Sequence, residues 1–308
     1  MTEMNPKISR REAAKTILGG ATAVLGGATA VLAGARLAAA VTSIDSVVRG
    51  VQIGAQSYSF RDRPLDAAIK AYQDVGLGEA ELTQGHLEPA EDKASREALR
   101  EWRLNTPLSF FHDVRSKFDQ AGVVIYAYNY SFDHSMTEAE MRRGFEMTRA
   151  MGARYITASS QVSLAPAIDK LASEYRIMVG FHGHDDTADP DQFSTADSFE
   201  RAMRGASRYI GVNLDIGHFT AANGDAIAFI RQYHDRIVTL HIKDRKRNHG
   251  DNLPFGEGDT PIVAVLRLLR DQRWKIPANI EYEYGKPGMD TVVEVKKSYA
   301  YCRKALET

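Results

Sequence analysis

Eight times between residues 51 and 306, a short apolar run with strand-like alternation gives way to a stretch with helical spacing. The first run is VQIGAQSYS (51–59), after which Leu65, Ala68, Ile69 and Tyr72 recur at helix intervals across 64–75. Further strand readings fall at 77–83, 122–129, 154–159, 176–182, 208–215, 237–244 and 276–283. Helical stretches occupy 91–104, 108–121, 137–151, 164–175, 195–205, 224–234, 261–271 and 289–306, with start signals at Thr137 and at Ser194 or Thr195. Strict alternation of this kind argues for a parallel sheet. Eight such units over this length are the usual extent of a (β/α)8 barrel. A doubly wound open sheet would want a glycine-rich turn after an early strand. Gly256-Glu257-Gly258 comes too late to serve as one. The expected architecture is therefore α/β, a single-domain (β/α)8 TIM barrel over residues 41–308.

Composition narrows the partners. The chain is 44% hydrophobic and 26% charged, ordinary globular figures. A net charge of −1 on 39 basic and 40 acidic residues leaves no polybasic footprint for nucleic acid. The lone cysteine, Cys302, excludes an intramolecular disulfide and a thiolate metal cluster. Residues 1–40 stand apart: Arg10-Arg11 precede an uncharged, Gly/Ala-rich stretch from Thr16 to Ala35, and small residues follow at 38–40. This pattern is that of a twin-arginine export signal, with cleavage expected after Ala38 or Ala40. It predicts a periplasmic or otherwise exported protein with no stable membrane anchor after cleavage. Its removal takes away more basic than acidic side chains and leaves the barrel faintly acidic.

The active end of such a barrel is the carboxyl end of its strands. Four consecutive strands finish in residues able to hold a divalent metal: His182 and His184, Asp215 and His218, His241, then Glu281 and Glu283. Each alone reads blandly. A strand-end histidine packs or hydrogen-bonds, and an aspartate before Ile-Gly-His caps a turn. A Glu-Tyr-Glu on a last strand would be a solvated edge, but a closed barrel has no edge. Four adjacent strands ending this way point to a metal.

LHIKDR followed by PFGEGDTPI (239–263 region) resembles the seventh strand and loop of the xylose-isomerase-like TIM barrels. That superfamily holds sugar and sugar-phosphate isomerases and epimerases, inosose dehydratases and a branch of endonucleases. GFHGHDD, LDIGH and IEYE resemble its strands five, six and eight, and GAQSYSFRD and AELTQGH its first two. The resemblance implies His182, Asp215, His241 and Glu281 as ligands of one divalent ion, with His184 and Glu283 as nearest competitors. Many family isomerases and epimerases carry glutamate where His182 stands, serving as ligand and base. Histidine there removes one of two carboxylates flanking the substrate. Two imidazoles with two carboxylates suit Mn, Co, Zn or Fe better than Ca or Mg.

An ion holding a sugar's carbonyl and neighbouring hydroxyl oxygen acts as a Lewis acid and stabilises an enediolate. Glu281, Glu283 and Glu81 are then candidate general bases. Lys243 and His218 are candidates to protonate or polarise the oxygens, or to hold a ligand in place. The expected activity is that of a metal-dependent sugar isomerase or epimerase acting on a free or keto sugar. A lyase or hydratase (dehydratase) of 3-keto-glycosides or inososes is the alternative, and an exported non-catalytic sugar-binding barrel the third reading. The partner is a small carbohydrate; the acidic barrel disfavours nucleic acid, and the sequence leaves homo-oligomerisation open.

Overall fold

The computed structural model describes residues 42–308 apart from 92, 94, 286 and 287, so the export signal expected in residues 1–40 lies outside the described residues. Eight parallel strands close on themselves: Val51–Gln56 (β1), Glu79–Thr83 (β2), Val124–Asn129 (β3), Tyr155–Ala158 (β4), Met178–His182 (β5), Ile210–Asp215 (β6), Ile237–Ile242 (β7) and Ala278–Ile280 (β8). Ala55 pairs with Ala80 on one side and Ile280 on the other, and Ile280 also pairs with Ile242. Closure leaves no free edge among these strands, as the alternation predicts.

Around them run Leu65–Val75 (α1), Arg96–Asn105 (α2), Leu108–Ala121 (α3), Glu138–Ala150 (α4), Ala165–Tyr175 (α5), Ala196–Met203 (α6), Ile216–Ala221 (α7), Ala226–Tyr233 (α8), Ile262–Gln272 (α9) and Thr291–Glu307 (α10). The start signals act as expected. Thr137 and Glu140 form a capping box at α4, and Thr195 and Ser198 form one at α6. Helix α7 is absent from the sequence reading because it is only six residues long and directly follows a strand. Two short pairings are also new: Val47–Val48 lies antiparallel on the start of β1, and Asp244–Arg245 pairs with Asn252–Leu253 in the loop after β7.

The apolar core lies between strands and helices. Leu82, Ile156, Phe181, Leu214, Leu240 and Ile280 are fully buried there, each such side chain contributing about 1.5–3 kcal/mol. Inside the barrel the chemistry is different. Alternate residues of the same strands (Glu81, Thr157, Asn213, His241 and Asn279) are equally buried but polar. Hydrogen bonds among them offset much of the cost of burial, although Asn213 Oδ1 and Asn279 Oδ1 find no partner among the described residues.

The GEGD loop has a structural account. One carboxylate, Asp244, accepts the backbone N–H groups of Gly256 (2.7 Å), Gly258 (3.0 Å) and Thr260 (3.2 Å). A Cβ on Gly258 would lie 2.0 Å from Asp244 Oδ1, so only glycine admits that approach.

Candidate metal centre

His182 ends β5, Asp215 ends β6, His241 lies one residue from the end of β7, and Glu281 directly follows β8. Asp215 and His241 are register partners, and the Glu281 N–H donates to the Ile242 carbonyl at 3.1 Å. Neighbouring strands thus deliver these four side chains to one level of the barrel mouth. All four are buried, and one ligand atom from each lies within 4.8 Å of every other. His182 Nε2 stands 3.5 Å from Asp215 Oδ2 and 3.9 Å from Glu281 Oε2. His241 Nδ1 stands 3.1 Å from Glu281 Oε2 and 3.9 Å from Asp215 Oδ2.

Among the described residues His182 Nε2 is buried without a hydrogen-bond partner, and Asp215 Oδ2, buried beside it, is met by the Lys243 ammonium at 3.0 Å. Buried polar atoms of that kind are rare unless something else satisfies them. Two imidazole nitrogens and two carboxylate oxygens converging on one point form a donor set that can hold a divalent metal. His184 and Glu283, the competitors by spacing, fall outside the group. The His184 ring packs edge-on to His182 with centroids 4.8 Å apart, and burial together with His182 and His218 pushes its pKa down to about 3. Glu283 is turned to Lys243, at 2.7 Å.

Below the group lies Glu81. Its Oε1 accepts from Gln56 Nε2 (3.2 Å), Thr157 Oγ1 (2.6 Å) and Asn213 Nδ2 (3.2 Å). Its Oε2 accepts from His241 Nε2 (2.8 Å) and Asn279 Nδ2 (3.3 Å). With both oxygens committed and no exposed surface, Glu81 faces His241 and not the cavity above. Offered as a base on sequence, it is placed instead to fix the His241 ring, with Nδ1 toward the other ligands. Asn213, Asn279, Thr157 and Gln56 were not singled out from sequence, because a polar residue inside a strand carries no sign of which strands it will meet.

Above the group, Lys243 Nζ lies 2.7 Å from Glu281 Oε2, 2.7 Å from Glu283 Oε2, 3.0 Å from Asp215 Oδ2 and 3.0 Å from His218 Nε2. Burial alone would lower the lysine pKa, but Asp215, Glu281 and Glu283 outweigh it and hold the ammonium charged. The same logic runs in reverse at Glu281. Burial opposes its charge, yet Lys243 and His241 hold the carboxyl well below the usual range. His218 Nδ1 meets Asp185 Oδ1 at 3.2 Å and Arg245 Nη1 at 2.6 Å, while Arg245 Nη1 lies 2.8 Å from that Asp185 oxygen. Asp185 and Arg245 are further site residues that sequence reasoning passed over. The only signal was their closeness to His184 and Asp244 in the chain.

His182, His184, His218, His241, Glu281 and Glu283 line a cavity of about 240 Å3 at the barrel mouth, which Gln56, Tyr58, Thr83, Asn129 and Ser159 also line. It offers a sugar-sized ligand hydroxyl, amide and imidazole partners over a metal-type donor set.

The profile of the xylose isomerase-like TIM barrel family matches residues 92–304. Over 80 residues the chain is 32% identical to an inosose dehydratase from Bacillus velezensis, a match spanning 26% of each protein. The matched segment is thus about a quarter of that curated relative's length. Among solved structures, a 3-keto-D-glucoside 4-epimerase from E. coli superposes with a TM-score of 0.62 at 11% identity, covering 82% of this chain and 99% of that one. A sugar phosphate isomerase/epimerase from Parabacteroides distasonis gives 0.59 at 15% identity, covering 85% and 96%. At these identities the structural likeness is one of fold. With its closed barrel and more than half its length matched by the family profile, the chain belongs to the xylose isomerase-like TIM barrel family.

Proposed function

We propose that this protein is a divalent-metal-dependent enzyme of the sugar isomerase/epimerase kind, acting on a free or keto sugar through an enediolate. The observation that carries the reading is the convergence of His182, Asp215, His241 and Glu281 at the mouth, with Lys243 and Glu283 in hydrogen-bond reach. A divalent ion held by these four side chains, with Mn, Co or Zn best suited, would supply Lewis acidity toward the sugar's carbonyl and hydroxyl oxygens. The chain supplies the rest. In this reading Glu281 or Glu283, both on the β8 side, takes the acidified C–H proton. Lys243 bridges the two carboxylates at 2.7 Å from each, and its charge helps to hold Glu281 ionised. Asp185 and Arg245 orient His218, whose other nitrogen meets Lys243.

One observation favours a second reading, a lyase or dehydratase at the same site. The β5 side of the cavity presents His182 and His184, with Asp185 turned away to Arg245 and His218. Epimerisation by two carboxylates needs one on each face, whereas loss of a β-substituent needs a base on one face only. The short match to an inosose dehydratase supports this reading.

The test offers ketoses, inososes and 3-keto-glycosides with Mn, Co or Zn in deuterated water, followed by NMR. The expected result is exchange of a C–H hydrogen with solvent or release of a β-substituent. Glu281→Gln should lower the rate by about 10²–10⁴-fold, and Glu283→Gln by less. Binding with neither exchange nor breakdown would leave a sugar-binding barrel in place of an enzyme. The export pattern in residues 1–40 supports an unphosphorylated substrate met in the periplasm or beyond.

A further inference from the structure

A second cavity of about 410 Å3 lies beside the first, under the loops that follow β1 and β2. The two share Tyr58 and Thr83. Tyr58 is one of the few large apolar side chains left exposed, at 40%. Its position is nonetheless fixed. The Tyr58 N–H donates to Gln56 Oε1 at 3.0 Å, and Gln56 in turn donates to Glu81 in the polar layer. The Arg61 guanidinium covers the ring at 4.7 Å from its centroid and donates to the Tyr58 carbonyl (3.2 Å) and the Tyr282 carbonyl (2.7 Å). An aromatic ring backed by a cation and standing between two cavities is a rigid platform with little freedom left to lose on binding.

The outer cavity has its own character. Of its cations, Arg63 is neutralised by Asp62 and Asp290, and Lys93 donates to the Gly85 carbonyl at 2.9 Å. Arg61 donates only to carbonyls, and among the described residues no carboxylate stands within ion-pair distance of it. Glu88, the carboxylate in the lining, is already paired with Arg103 at 2.7 Å. The outer cavity therefore combines an aromatic wall with an uncompensated positive charge. Size points the same way. The inner cavity alone falls short of the roughly 300–1,000 Å3 of ordinary small-molecule sites, whereas the two together fall within it.

We infer that the substrate is a glycoside and not a free monosaccharide, with its keto-sugar ring in the inner cavity and its aglycone in the outer one against Tyr58 and Arg61. This rests on the enolising reading above, whose substrate class it narrows. Aromatic aglycones, or those that leave with negative charge on oxygen, fit the platform and the cation best.

The experiment titrates the metal-loaded protein with 3-keto-glucose, its methyl glycoside and its phenyl glycoside, and follows solvent exchange of each by NMR. The phenyl glycoside should bind about tenfold more tightly than the free sugar. In Tyr58→Ala that ratio should fall toward one, and in Arg61→Ala it should shrink in part, with metal content and unfolding midpoint measured as controls. Equal affinity for all three compounds, or a ratio untouched in both variants, would overturn the outer subsite. If the free sugar exchanges but gains nothing from an aglycone, the subsite fails and the enolising reading stands. If the glycoside is preferred but nothing exchanges or breaks down, the subsite stands and the enolising reading fails.

Discussion

Single side chains do unequal work at this centre, and metal affinity should rank them. Asp215 offers its buried Oδ2, beside the Lys243 ammonium, to the ion, and its other oxygen accepts the His218 N–H at 2.8 Å as cap of α7. The reading of Asp215 as a helix cap and the reading of it as a ligand are both compatible with the structure, one per oxygen. Asp215→Ala or His241→Ala should abolish most metal binding, because the remaining donors cannot complete the shell. Glu81→Gln should keep the ion but weaken it by about 10–100-fold, the ordinary penalty for losing the partner of a ligating histidine. Elemental analysis and competition with a chelating dye would read both. Full occupancy in Asp215→Ala, or unchanged affinity in Glu81→Gln, would sink the assignment.

At the scale of the element, β2 is the instructive strand. Period-two alternation puts Glu79 and Glu81 on its inner face, one layer apart. Glu81 is satisfied by five neighbours, whereas Glu79 Oε1 has none. Asn279 Oδ1, from β8, is orphaned too, and both atoms crowd the point where a Cβ on Gly54 would stand, at 3.1 and 2.3 Å. Burial, reinforced by the nearby Glu81 charge, raises the Glu79 pKa well above 4.5. Folding then takes up a proton wherever the unfolded chain would ionise, so this contribution is full below the unfolded value of 4.5 and is lost as pH rises toward the folded one. Glu79→Gln removes the dependence. As pH rises above the unfolded value the wild type should lose stability relative to this variant, by at most about 1.4 kcal/mol per pH unit. Denaturant unfolding at a series of pH values would show it, and parallel curves for the two proteins would refute it.

For the whole molecule, the export inference is tested outside the barrel. Replacing Arg10 and Arg11 with lysine should retain the protein in the cytoplasm, read by fractionation against a cytoplasmic marker, and unchanged export would remove the twin-arginine reading. Among the described residues no helix is long and apolar enough to cross a membrane. The barrel itself was legible because its signals are local. Each strand announces itself by period and each helix by spacing and caps, and parallel closure carries every strand's last residues to the same mouth. That is why strand ends alone offered His182, His184, Asp215, His218, His241, Glu281 and Glu283 as metal-type donors, from which the family resemblance picked out His182, Asp215, His241 and Glu281. Closure also sets what no local pattern contains, because strand stagger decides which inward residues share a level. Glu81 meets Asn213 and Asn279 across separations of 132 and 198 residues. His184 falls outside the ligand group that His182 enters, although one two-residue step joins them. Sequence determined the eight-unit barrel and the ring of metal-type donors at its mouth. Only the tertiary structure decided the polar layer beneath them, the Asp185–Arg245–His218 cluster and the second cavity behind Tyr58, since each is made by side chains that become neighbours when the sheet closes.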